Sequence, residues 1–175
     1  ALGHSLNGIG KILVMIFAVS TFINIFKETN IGSVVAASLA NLINNSNFSG
    51  LPISILLFIT SIIVTFVVPS PISGWSTLAS TVPTLMQAGV SPEFAQVIFR
   101  LGNAVSIGLT PVFAYFIVYL AFLATYNQSS KPVTLKDAIK YQLPFAGATC
   151  ALFLGIILVW YIVGMPLGVG TSVAP

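Results

Sequence analysis

The stretch FVVPSPISGWSTL, Phe66 to Leu78, decides how this chain is to be read. It sits inside one of the most apolar parts of the sequence. Yet it places two prolines, three serines, a glycine and a tryptophan where an uninterrupted membrane helix would carry leucines. Pro69 and Pro71 cannot donate backbone hydrogen bonds, and Pro71 disfavours helix at Ser70. The helix entering from Leu51 is therefore expected to end near Val68, and a new one to start near Ser73 to Ser76. The free N–H groups and positive dipole end of that second helix suit a carboxylate, with the Ser70 and Ser73 hydroxyls beside it. Trp75 adds a flat aromatic face and an N–H donor. The competing reading is an extramembrane turn with Trp75 as an interface anchor.

Working outward, the 175 residues are 57% hydrophobic and 5% charged, against about 25% charged in soluble domains. A chain of this length cannot bury so much apolar surface, so lipid is its expected solvent. The net charge of +3 is too small and scattered for nucleic-acid binding. It reads instead as topology: Lys131, Lys136 and Lys140 share one loop, which the positive-inside rule places in the cytoplasm, leaving the carboxy terminus outside. Cys150 is the one cysteine and His4 the one histidine, so neither a disulfide framework nor a metal-ligand cluster is expected. No nucleophile–base motif is present, and an enzyme is not expected.

Four apolar blocks follow: residues 9–44, 51–88, 92–126 and 141–164. A spanning helix needs about 20 apolar residues. The first three blocks are too long for one span, and each is interrupted: at KETNIG (Lys27 to Gly32), at PSPISG (Pro69 to Gly74) and near GNAVSIGLTP (Gly102 to Pro111). The fourth reads as one plain span. Irregular backbone at membrane depth survives only against protein or a watery cavity, and broken helices of this kind build the binding sites of secondary transporters. The expected fold is thus an all-α polytopic membrane protein with broken helices and a re-entrant hairpin, one half of an inverted-repeat transporter. Residues 51–88 either dip in and return or cross twice. Ser91, Pro92 and Glu93 read as N-cap, first turn and dipole-complementing acid of the third block, and Thr134 with Asp137 as a capping-box-like pair.

Arg100 lies about eight residues into the third block, roughly 12 Å along a helix. A charge that deep faces a cavity or a partner, here an anionic ligand, unless it snorkels to the headgroups. Asn103, three residues on, is read onto the same face; it can orient a ligand but cannot take up a proton. Thr29 and Asn30, in the break of the first block, could hold a ligand or a cation, although the adjacent Lys27 and Glu28 equally suit a solvated loop.

The segments TNIG, PSPISGW, SPEFAQVIFRLGNAVSIGLTPVFAYF and LPFAGATCALFLGIILVWYIVGMPLG resemble the carboxy-terminal part of the AbgT family of p-aminobenzoyl-glutamate transporters, in the ion transporter superfamily. The resemblance runs from about Ile9 to Gly170 and implies an inner-membrane homodimer with re-entrant hairpins. Its members import p-aminobenzoyl-glutamate or export sulfonamide antimetabolites, driven by an ion gradient. The family's hairpin-tip tryptophan matches Trp75, its S-P proline Pro92 and its arginine Arg100. Its tip serine falls on Ile72, with Ser70 and Ser73 nearby. The acid of its R-I-G-D pattern is Asn103 here, the following T-N is Ser106-Ile107, and the run from Trp75 to Pro92 is one residue shorter. The expected partners are lipid, a small organic anion and an amino-terminal half outside this chain. No cofactor is expected, and the coupling ion, H+ or Na+, is left open by the Asp-to-Asn change. The alternatives are another organic-anion carrier of that superfamily and a truncated remnant that does not transport.

Overall fold

In the computed structural model, the structure describes residues 49–128 and 133–174, with single positions scattered from Val14 to Asn45. The described residues are helical and contain no strand beyond an isolated bridge, Gly168 to Thr171. Of the first block's break, Thr29 is described, in a turn whose N–H bonds the Ile25 carbonyl at 3.0 Å. Asn30, Lys27 and Lys131 lie outside the described residues.

Helix α1, Leu51–Val67, follows Gly50, whose φ of 66° is left-handed. The helix ends where Pro69 comes due. Helix α2, Pro71–Leu78, starts at Pro71, not at Ser73 to Ser76. The proline ring presets the helical φ at the first position, and the Ser70 hydroxyl caps the helix by accepting from the Ser73 N–H at 3.3 Å. A 3₁₀ turn, Ala79–Thr81, leads into α3, Val82–Gln87. The turn tightens there because Pro83 has no N–H for the Ala79 carbonyl, which the Val82 N–H takes instead. Gly89, at φ 83°, closes the arm.

Together α1, α2 and α3 form a hairpin whose two ends meet: the Gly50 N–H donates to the Ala88 carbonyl at 2.8 Å. Helix α4, Pro92–Ile107, starts at the N-cap Ser91, which accepts from the Phe94 N–H at 3.2 Å, with Glu93 in the first turn. It runs alongside α1 in the same direction. Their contact is the heart of the core: Ile53, Leu57, Phe58 and Val64 of α1 against Phe94, Ala95, Ile98 and Phe99 of α4, with Leu78 and Leu85 from the returning arm. Gly102 allows the close approach. A Cβ there would lie 2.7 Å from Ser61 Cβ and 3.0 Å from the Phe58 carbonyl. The break near Gly102 to Pro111 thus begins at Gly108, and Gly102 is a packing position inside the helix.

Helix α5, Ala114–Thr125, follows the break. Helix α6, Leu135–Val163, opens on a capping box in which Thr134 and Asp137 each bond the other's backbone N–H. It is the one helix of the described residues long and apolar enough to cross a membrane, and 11% of its most apolar window is buried. Beyond its first two turns its large exposed side chains, among them Phe145, Leu152, Val159 and Ile162, are apolar. After Gly164 the tail folds back: the Ser91 N–H donates to the Val173 carbonyl at 3.0 Å and the Ser91 hydroxyl to the Ser172 carbonyl at 2.6 Å. The hairpin's base, the start of α4, the end of α6 and the tail therefore share one end of the bundle. Lys136 and Lys140, read from the sequence as part of a loop, lie instead in the first two turns of α6, at its other end, because the Thr134 capping box starts the helix before them.

Candidate functional site

The turn after α1 has lost its donors in a patterned way. In a continuing helix the carbonyls of Thr65, Phe66 and Val67 would accept from the N–H groups of residues 69, 70 and 71. Residues 69 and 71 are prolines. Two of the three carbonyls therefore lose their helical donors outright. The middle one, Phe66, is taken by the hydroxyl of Thr110 at 2.7 Å. Thr110 is fully buried and lies in the break between α4 and α5. The two interruptions of the chain, 44 residues apart, are thus tied to each other at one point.

Polar side chains gather around that knot. Asn103 is 6% exposed and its Nδ2 donates to Thr65 Oγ1 at 3.2 Å. Ser106 is fully buried and its hydroxyl makes no hydrogen bond. The junction holds hydroxyls, one amide and carbonyls released from α1, with no carboxylate. It is rich in acceptors and uncharged, an environment able to replace the water around a small monovalent cation or to hold water.

On the neighbouring flank Trp75 is half-buried, its ring centroid 5.5 Å from that of Phe99 at 47°. Gly74 lets this contact form, since a Cβ there would sit 3.1 Å from the Phe99 ring. Arg100, next to Phe99, is exposed and makes no ion pair among the described residues. Reading Asn103 and Arg100 onto one face is corrected here. Three residues correspond to about 300° of rotation, and that remaining 60° separates a side chain turned onto α1 from one turned outward.

The other sequence-predicted residues fall as follows. Ser70 is spent on its cap and Ser73 lies half-buried in the first turn of α2, so the open N-terminus expected near Ser73 is already partly satisfied. Pro92 opens α4 at the opposite end of that helix from the junction and is not brought together with Trp75 or Arg100. Thr65, Ser106 and Thr110 are site residues that the sequence reading missed. Their signal is hydroxyls at helical spacing on otherwise apolar runs: Ser54, Ser61 and Thr65 on α1, and Ser106 and Thr110 four apart. An apolar cavity of about 180 Å³ between α4 and α6, lined by Phe94, Val97, Leu101, Ile157, Trp160 and Leu167, stands apart from this junction.

Apolar outer faces with two broken helices tied together at a buried, acceptor-rich point define a helical membrane protein whose irregular backbone is enclosed by protein. The chain belongs to the AbgT transporter family, whose sequence profile matches residues 1–174. It is 31% identical over 159 residues to the p-aminobenzoyl-glutamate transport protein of Escherichia coli (strain K12), a match covering 90% of this chain and 31% of that protein. The chain thus spans about a third of the length of that relative. No solved structure matches it.

Proposed function

We propose that this chain forms one half of the substrate site of a secondary transporter carrying an aromatic carboxylate anion, of the p-aminobenzoyl-glutamate kind, across the inner membrane. The observation that supports it most is the tie between Thr110 and the Phe66 carbonyl. It holds two chain breaks together beside a half-buried tryptophan and an arginine without an acid partner among the described residues. Arg100 supplies the charge for a carboxylate and Trp75 the flat contact for a ring. The relative's name supports the substrate class.

The hairpin is re-entrant. Its ends are joined at Gly50 and Ala88, and α1, at 17 residues, reaches about 26 Å, short of the roughly 30 Å hydrocarbon core. With the lysine-bearing start of α6 cytoplasmic, the hairpin's base and the carboxy-terminal tail face outside. The coupling ion is Na+ rather than H+, because the junction offers acceptors and no group that exchanges a proton near neutrality. A second, inverted half and a homodimeric assembly complete the carrier, and export of sulfonamide antimetabolites is a second mode of the same site.

Uptake of labelled p-aminobenzoyl-glutamate into vesicles holding the complete protein tests this. A sodium gradient should drive it and a pH gradient alone should not. Arg100→Ala and Trp75→Ala should each lower uptake on the order of ten-fold or more, the cost of one charge-assisted or stacking contact. Normal transport by both variants would remove the proposed site.

A further inference from the structure

We propose that the segment after α6, residues 164–174, is a detachable strap. Docked, it pins the start of α4 and the hairpin's base to the end of α6. Lifted, it lets the hairpin and α4 move as one body away from α6. The strap itself stands apart from the transport reading above, and only its use as a gate rests on that reading.

The seam that the strap crosses is poorly filled. Helix α4 packs along α1 through the core, with Phe94, Ile98 and Phe99 among its buried side chains. Toward α6 it leaves an apolar cavity of about 180 Å³, with Val97 and Leu101 on one side and Trp160 on the other. Side chains facing a void forgo the dispersion contacts that would hold two helices together. Pro166 and Leu167 of the strap complete the wall of that cavity. Among the described residues, the hydrogen bonds that join α6 and its tail to the hairpin and α4 both end on Ser91. Its N–H donates to the Val173 carbonyl at 3.0 Å and its hydroxyl to the Ser172 carbonyl at 2.6 Å. Beside them Tyr161 meets Phe94 with ring centroids 6.3 Å apart, a contact without a hydrogen bond.

The strap's hold is light. Val173 is its one well-buried side chain, 5% exposed, while Pro166, Val169 and Ser172 face outward. Gly164 and Gly170, at φ 66° and 76°, supply the turns that bring the chain back, and both lie in open space. Docking also has a cost. The Thr171 hydroxyl is shut off from water and makes no hydrogen bond among the described residues, a loss that release would restore. Two hydrogen bonds and one side chain stand against one unpaired hydroxyl. The docked form is therefore only modestly favoured, the condition for local opening without unfolding of the bundle. Ser91 passes the event on to α4, since the same hydroxyl caps that helix by accepting from the Phe94 N–H at 3.2 Å.

Amide hydrogen exchange on the complete protein tests docking without any substrate. The Ser91 N–H should exchange with the strap, on the order of a hundred-fold faster than the Ile98 and Phe99 amides inside α4. Val173→Ala should raise that rate about ten-fold, for two buried methyl groups lost. Thr171→Val, which removes the unpaired hydroxyl, should lower it roughly ten-fold. For the gate, Ser91→Cys and Ser172→Cys are bridged by the shortest bis-methanethiosulfonate in a Cys150→Ala background. Bridging should cut p-aminobenzoyl-glutamate uptake on the order of ten-fold or more, and reduction should restore it. Each single variant treated with the reagent should keep its uptake. A Ser91 N–H as slow as that of Ile98, and unmoved by Val173→Ala, would make the segment a permanent part of the core and overturn the strap. Bridged protein transporting at the unbridged rate would overturn the gate. If the unbridged protein takes up no p-aminobenzoyl-glutamate, the transport reading fails and the exchange rates still decide the strap.

Discussion

Replacing Thr110 by valine changes one hydroxyl for a methyl group at nearly constant volume. The structure states what is lost. The Phe66 carbonyl loses its 2.7 Å donor, and the Val112 N–H loses a weaker acceptor at 3.4 Å. Neither loss has an easy remedy. Thr110 is fully buried, and the Ser70 N–H, which a continuing helix would have aimed at the Phe66 carbonyl, does not bond it at this break. A buried acceptor left unpaired costs about 1–3 kcal/mol. Taking about 2 kcal/mol, the tied arrangement of the two breaks is disfavoured by about 30-fold. Thr110→Ser keeps the hydroxyl and loses only a methyl group, so it separates hydrogen bonding from packing. In the complete protein, Thr110→Val should lower both the thermal unfolding midpoint in detergent and the rate of anion uptake. Thr110→Ser should stay close to wild type in uptake. If valine and serine behave alike, the contact between the breaks is incidental and the site must be sought elsewhere.

Three further outcomes follow from the geometry. Gly102→Ala brings a Cβ within 2.7 Å of Ser61 Cβ and 3.0 Å of the Phe58 carbonyl, so overpacking of about 1–3 kcal/mol should outweigh the helix-propensity gain of about 0.5–1 kcal/mol; the thermal midpoint checks it. Gly50→Ala combines a left-handed φ of 66° with a collision against the Tyr161 hydroxyl, and should lower the midpoint by the equivalent of about 1–3 kcal/mol; adding Tyr161→Phe should recover only part of it, since the ring Cζ stays 2.9 Å from the new Cβ and the backbone strain is unchanged. Thr134→Ala removes the capping box of α6 and should cost about 1 kcal/mol of helix-end stability, visible as faster amide exchange at Asp137 with uptake unchanged, because that helix end is remote from the junction.

Features set by local chemistry could be read from the sequence alone. Composition required lipid as solvent, because 57% hydrophobic residues exceed what a chain this short can bury. Pro69 and Pro71, two apart, were expected to interrupt the second block because each leaves a carbonyl four residues back without its donor. A single proline need not end a helix, as Pro144 inside α6 shows. Ser91 and Thr134 announced their helices by side chains that bond backbone three residues on. Even there the detail moved: α2 begins at Pro71 because proline favours the first helical position, an effect as local as the break itself.

What only the tertiary structure decided depends on neighbours distant in sequence. Asn103 faces inward because Thr65, 38 residues away, receives its amide, while Arg100 on the same helix is left outside. Gly102 looked like part of a break and is a contact surface, because α1 approaches that side of α4 closely enough to exclude a side chain. Thr110 was one polar residue among apolar ones until the fold set it against the Phe66 carbonyl, left without its helical donor where the chain breaks between two prolines. Helix ends and breaks follow from bonds within a few residues. Which face turns inward follows from free energy shared between segments that meet only after the chain has folded.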